Sequence, residues 1–169
     1  DINHKLLGFL HFKPSYLFKF DEECSDNAFP TPRTIHKTSN LIKDMKNDKD
    51  MSMMVECGVG EAFSTEFTAF VKLTDKIDIN DILEHPEKIK KIDDIGIKWS
   101  ITTEIAEKYR KDKKILAKAV RAYNHMSAEL CVGGLRMMKI INPKDFTKQM
   151  MKLPEWKSMG KEYAKYLVD

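Results

Sequence analysis

The sequence predicts an all-α protein, an irregular bundle of about eight short helices. Three observations point there. Apolar residues recur at three- and four-residue spacings through most of the chain, and no segment alternates apolar and polar residues as a half-buried strand would. Helix-capping residues stand ahead of several of these runs, among them Asn3, Thr31, Asp78 and Asp112. Only 7 glycines and 6 prolines interrupt 169 residues, which leaves little room for long loops.

Leu6, Leu7, Phe9 and Leu10 form the first short helix after Asn3, and Pro14 stops it. Ser15–Phe20 supplies a further apolar turn, followed by a polar connector, Asp21–Asn27, whose acids lack the spacing and glycine of a calcium loop. Thr31 then caps a helix from Pro32 to about Lys46, with Ile35, Leu41, Ile42 and Met45 on its apolar side. Proline suits the first helical position because its missing N–H has no partner there in any case. Asn47–Asp50 reads as a turn and Met51–Val55 as the start of another apolar piece. Gly58-Val59-Gly60 lacks the Lys-Ser/Thr of a phosphate loop, with Glu61 and Ala62 in its place, so close packing between two helices is the better account. The helix Glu61–Leu73 sets Ala62, Phe63, Phe67, Phe70 and Val71 along one stripe and is the expected packing centre.

Asp78 caps a brief turn through Leu83, ended by Pro86, and Glu87–Gly96 reads as a surface connection. Trp99, Thr102, Ile105, Ala106 and Tyr109 have helical spacing, as do Ile115, Leu116, Ala119, Val120 and Tyr123 after Asp112. A helix over Ser127–Ile141 carries Leu130, Leu135, Met138 and Ile141, with Gly133-Gly134 marking either a kink or a close crossing. Asn142-Pro143 opens a short helix holding Phe146 and Met150, and Pro154 or Glu155 opens the last, with Trp156, Met159, Tyr163 and Leu167 apolar. Met51, Met53, Met54 and Trp156 fit either an interior or an interface.

Composition is that of an ordinary globular chain, 42% hydrophobic and 33% charged. A net charge of +3 is too mild to argue for nucleic acid by itself. Cys24, Cys57 and Cys131 are widely spaced and odd in number, which fits reduced thiols in a cytoplasmic protein. No apolar run approaches the roughly 20 residues needed to span a bilayer, so no membrane partner is expected. The chain does not begin with Met, and a piece of a longer polypeptide is expected.

Two features invite a functional reading. Arg33 lies in the first turn of the Pro32 helix, where a cation opposes the helix dipole. It is either a solvated surface arginine or, with unpaired N–H groups at the same helix mouth, part of an anion site suited to phosphate. His36 follows three residues later on a similar face and is a second candidate for the same anion. The other feature is a basic run, Lys108, Arg110, Lys111, Lys113, Lys114, Lys118 and Arg121. It straddles a turn and has only Tyr109 and Tyr123 for stacking, so a solvated basic face is expected rather than a nucleic-acid surface, with salt bridges to a neighbouring subunit as a third option. The histidines show no metal-ligand spacing, and neither a catalytic metal site nor a nucleophile elbow is legible.

Several segments also resemble a known family. Phe29-Pro-Thr-Pro-Arg-Thr34 resembles the Pro-x-Pro-Arg segment that opens a lid helix in MoxR-type AAA+ ATPases. Gly58–Leu73 is similar to that family's Val-Gly-Glu segment and the apolar helix after it, and Asp81-Ile-Leu-Glu-His-Pro86 to its Glu-x-Ile-Leu-x-x-Pro turn. Leu7–Pro14 resembles the apolar segment leading from the ATPase core into the lid. The likeness spans about residues 4–86 and is looser beyond 87. It implies that residues 1–27 connect a nucleotide-binding core to the lid, that 28–141 form the helical lid, and that 142–169 are C-terminal helices packed on it.

On that resemblance Arg33 is the sensor-2 residue that reaches the γ-phosphate of ATP, with magnesium held by the core. The implied partners are the ATPase core of the same polypeptide, further copies in a ring, and a client protein that is remodelled or activated. This chain has neither the Walker A nor the Walker B segment, so alone it is expected to be inactive. The alternative is a stand-alone helical module that binds protein or nucleic acid through its basic face.

Overall fold

The computed structural model describes residues 2–18, 28–45 and 47–163. Among them, all regular structure is helical: ten α-helices and three 3-10 segments, with no strand. The all-α expectation holds. The chain packs as two units, Asp1–Lys76 and Ile77–Asp169, each around its own apolar cluster. This division falls within the span 28–141 expected as lid.

In the first unit, α1 (His4–Phe12) begins where Asn3 predicts, with the Asn3 side chain accepting the Lys5 and Leu6 amides. Pro14 does more than stop α1, since it opens a 3-10 turn, Pro14–Phe18. The connector Asp21–Asn27, with Cys24, lies outside the described residues. The helices α2 (Pro32–Leu41), α3 (Asp48–Val59) and α4 (Glu61–Thr74) complete the unit. Phe9 of α1 is wholly buried at their centre, with the rings of Phe63, Phe67 and Phe70 at 5.0, 5.7 and 5.7 Å in edge-on arrangements. Such contacts add to the area these rings withdraw from water, and α4 is the packing centre of its unit as expected.

Two stripe assignments are corrected. Leu41 is 55% exposed and Ala62 is exposed. At about 100° per residue, Ile35, Thr38, Ser39 and Ile42 share the inward arc of α2, and Leu41 falls about 120° away from Ile35. On α4 the same arithmetic brings Ser64 inward with Phe63, Phe67, Phe70 and Val71 and leaves Ala62 outside. Helix α2 also ends at Leu41 rather than near Lys46, a residue outside those described. The expected turn Asn47–Asp50 is instead the start of α3, capped by Asn47 accepting the Lys49 amide. Gly60, at φ 91°, ends α3 and begins α4 in the left-handed region that disfavours a side chain. Of the uncertain methionines, Met51 is buried, Met53 is exposed and Met54 packs against the cluster.

In the second unit, α5 (Ile79–Glu84) starts at Asp78 as predicted, with the Asn80 amide bonded to its carboxylate at 2.8 Å. The expected surface connection after Pro86 is a 3-10 segment, Pro86–Lys91, whose Ile89 is wholly buried; α6 (Ile95–Lys111) follows, capped by Asp94. Ile92, three residues on from Ile89, packs against the same core, so a pair of isoleucines anchors this charged stretch. After a 3-10 turn (Lys113–Ile115) come α7 (Leu116–Tyr123), α8 (Ala128–Ile141), α9 (Phe146–Met150) and α10 (Pro154–Tyr163). Asn142 terminates α8, its amide donating to the Met138 carbonyl, and the residue before α9 is Asp145 rather than Asn142. Leu167 lies outside the described residues.

Gly133-Gly134 is a close crossing. A Cβ on Gly134 would stand 2.5 Å from the Tyr123 ring, and one on Gly133 3.2 Å from Trp99. Tyr123 is wholly buried and donates its hydroxyl to the Thr102 carbonyl at 2.9 Å. That bond satisfies the one polar atom the ring carries inside.

Candidate functional site

The start of α2 is set by two threonines. The Thr34 amide donates to Thr31 Oγ1 at 3.1 Å, and the Thr31 amide donates to Thr34 Oγ1 at 2.8 Å. Thr34 Oγ1 in turn donates toward the Phe29 carbonyl at 2.9 Å, tying the entering chain to the first turn. This reciprocal box leaves fewer free donors than the sequence suggests. Pro32 has no N–H, Thr34 gives its own to Thr31, and Ile35 bonds to the Thr31 carbonyl at 2.9 Å. Among the described residues, the Arg33 amide is the one left over in this turn. The signal was present in Thr31-x-x-Thr34, although glutamate or glutamine is the usual residue at the fourth position.

Arg33 and His36 are both exposed on α2, and Lys37 joins them one turn from Arg33. Among the described residues, no hydrogen bond or ion pair engages the Arg33 guanidinium. No acid occurs within Pro32–Leu41. Any anion held here therefore meets the guanidinium, with Lys37 and His36 beside it, rather than a ring of backbone amides. Lys37 was not singled out from sequence; its i+4 relation to Arg33 is the signal that could have found it.

The basic run looks different. Lys118 bonds to Glu84, and that hydrogen bond, then its charge, holds the Glu84 carboxyl below the ordinary range. Arg121 lies 3.4 Å from Glu155, Arg110 3.1 Å and Lys111 3.8 Å from Glu107, and Lys108 donates to Asn80 at 2.7 Å. Lys113 lies 4.7 Å from the Tyr109 ring centre and donates to the Tyr109 and Arg110 carbonyls, both at 2.9 Å. It thereby satisfies acceptors at the end of α6, and burial, then the nearby Arg110, pulls its pKa down. Tyr109 and Tyr123 are both wholly buried and closed to stacking on a base.

Elsewhere, Tyr16 donates to Glu66 at 2.9 Å, with Lys13 on the other carboxylate oxygen. Burial, then that bond and the Glu66 charge, push the Tyr16 pKa up to about 12. A nook between α3 and α4, lined by Met51, Ser52, Phe67, Thr68, Val71 and Lys72, has about 10 Å³, room for little more than one water. Among the described residues, no helix is long and apolar enough to cross a membrane, and no His, Cys, Asp or Glu side chains group as a metal site. Among the described residues, Cys57 and Cys131 form no disulfide. Compared with known proteins, the chain matches no family model, no curated protein and no solved structure.

Proposed function

We propose that the chain is the helical region C-terminal to the core of a MoxR-like AAA+ ATPase, and that Arg33 senses the γ-phosphate of ATP. The observation that carries this reading is the setting of Arg33: exposed, without a described partner, and on a first turn pinned by the Thr31–Thr34 box in an acid-free helix. The order of the segments Leu7–Pro14, Phe29–Thr34, Gly58–Leu73 and Asp81–Pro86 supports it.

In this reading the core of the same polypeptide binds ATP and magnesium and performs hydrolysis. A guanidinium can take two oxygens of the terminal phosphate at once, and that pairing ends when the phosphate leaves. The inclination of the lid then follows nucleotide state, and a ring of copies in the cytoplasm uses the motion to remodel or activate a client protein. His36 is a secondary contact to the same anion. The alternative, a stand-alone module acting through residues 108–121, is weakened by the acids already paired with those cations.

Arg33→Ala in the full-length parent tests the reading. A charge-assisted pair contributes about 1.5–3 kcal/mol, so ATP turnover is expected to fall roughly 10- to 150-fold with helical content unchanged. Unchanged turnover overturns the sensor role, and an upstream reading frame without a phosphate-loop lysine overturns the family assignment.

A further inference from the structure

The inward face of α2 is half polar. Ile35 and Ile42 enter the core of the first unit, but Thr38 and Ser39, each 1% exposed, lie between them. The corresponding face of α4 carries Phe63, Phe67, Phe70 and Val71, and its buried Ser64 is satisfied by donating to the Ser52 carbonyl at 2.8 Å. By area withdrawn from water, two isoleucines hold a helix far less firmly than three phenylalanines and a valine.

The two hydroxyls also differ. Ser39 Oγ accepts the Asn3 amide at 2.6 Å, linking α2 to the start of α1. Thr38 Oγ1 has no hydrogen-bond partner among the described residues. It lies against Gly58 of α3, where a Cβ would stand 2.0 Å from it. At the α2–α3 crossing the Thr38 side chain therefore sits against a glycine, with its hydroxyl unsatisfied among the described residues. Burying such a group without a bond carries the desolvation penalty in full, and water removes that penalty once the surface opens.

From these features we propose that α2 is a releasable helix, which lifts from α3 as a local unit while the α1–α4 phenylalanine cluster stays closed. Release hydrates Thr38 and changes where Arg33 is carried. The inference stands whether or not Arg33 meets a phosphate, because it concerns the seating of the helix and not its ligand.

Native-state amide hydrogen exchange on the 169-residue chain tests it. In the wild type, α2 amides exchange faster than the buried amides of α4. Thr38→Val removes the unsatisfied hydroxyl at nearly constant volume and is expected to slow α2 exchange roughly 5- to 150-fold while leaving α4 unchanged. Thr38→Ala makes the same comparison without setting a second methyl against Gly58. Slowing of α2 and α4 together overturns the proposal, because α2 then opens only with the whole unit. So does the absence of slowing in both variants, because the hydroxyl then has a partner in solution.

Discussion

Replacing Gly134 by alanine should destabilise the second unit, although alanine is the better helix former. On intrinsic propensity alone the change in mid-helix favours folding by about 1 kcal/mol. Against this, the new Cβ would meet Tyr123 at 2.5, 2.7 and 2.8 Å, three atoms of a ring that is wholly buried. Moving that ring overpacks the crossing by about 1–3 kcal/mol. It also pulls the hydroxyl from the Thr102 carbonyl, 2.9 Å away, and a buried bond lost this way costs about 1–3 kcal/mol. The net is a loss of about 1–5 kcal/mol. Gly133→Ala, one residue earlier, meets only the edge of Trp99 at 3.2 Å, and a small shift of that ring absorbs the contact. Its stability should lie within about 1 kcal/mol of wild type.

Urea unfolding followed by tryptophan fluorescence reads this unit selectively, because both tryptophans, Trp99 and Trp156, lie within it. With a slope of about 1–3 kcal/mol per molar, a 3 kcal/mol loss lowers the Gly134→Ala midpoint by about 1–3 M. A double-mutant comparison identifies the cause. Tyr123→Phe alone should destabilise, yet add little on top of Gly134→Ala if the hydroxyl bond is already gone. A Gly134→Ala midpoint at or above wild type refutes the crossing, and full additivity refutes the broken bond.

Two further outcomes are expected. Thr31→Ala removes one half of the capping box and should cost α2 about 1 kcal/mol, seen as roughly fivefold faster amide exchange confined to that helix; an unchanged rate would mean the cap contributes nothing. Tyr16 should make the first unit sensitive to alkali. Its hydroxyl stays protonated to about pH 12 when folded and to 10.0 at its ordinary value, so the stabilisation is complete below pH 10.0 and is lost as pH rises through about 12. Tyr16→Phe should lack that component in a stability-versus-pH series, and identical alkaline profiles for the two proteins would rule it out.

The local devices of the fold were legible. Asn3, Thr31 and Asp78 cap the helices predicted for them, and the run from Phe63 to Val71 buries the side predicted, apart from Ala62. These signals act over one turn, which is the distance at which a linear pattern carries information. Errors arose where a tertiary partner decides. Ile89 and Ile92 make only a single i,i+3 pair among charged residues, yet the second core takes Ile89 in completely and packs Ile92 against it. Asn142-Pro143 has the form of a helix start, but Asn142 closes α8 and α9 begins only after Asp145. At the candidate site, the position and exposure of Arg33 followed from Thr31-Pro32, whereas the loss of the Thr34 amide to capping depended on a side chain turning back. Glu107 pairs with Arg110 and Lys111 at helical spacing and was legible, but the acids that meet Lys118 and Arg121 lie far from them in sequence. Glu84 is 34 residues from Lys118 and no local rule pairs them.

That last pairing decides how the charge of this protein should be weighed. Counted along the chain, residues 108–121 are the most cationic stretch, and Arg33, His36 and Lys37 are minor. In the folded molecule the difference narrows, because an exposed cation beside a carboxylate offers an incoming anion little net field. Glu84, Glu107 and Glu155 take up four of the cations of the run, Lys113 is folded onto Tyr109, and Lys108 is bonded to Asn80. Helix α2 has no acid of its own, and its first turn holds Arg33 in a fixed start. A small cluster without internal counter-charge can therefore compete for an anion with a larger run that is partly neutralised. The selectivity this implies can be read from ionic strength. Binding through α2 engages few charges and should weaken only gently with salt, whereas binding through the longer run would fall steeply.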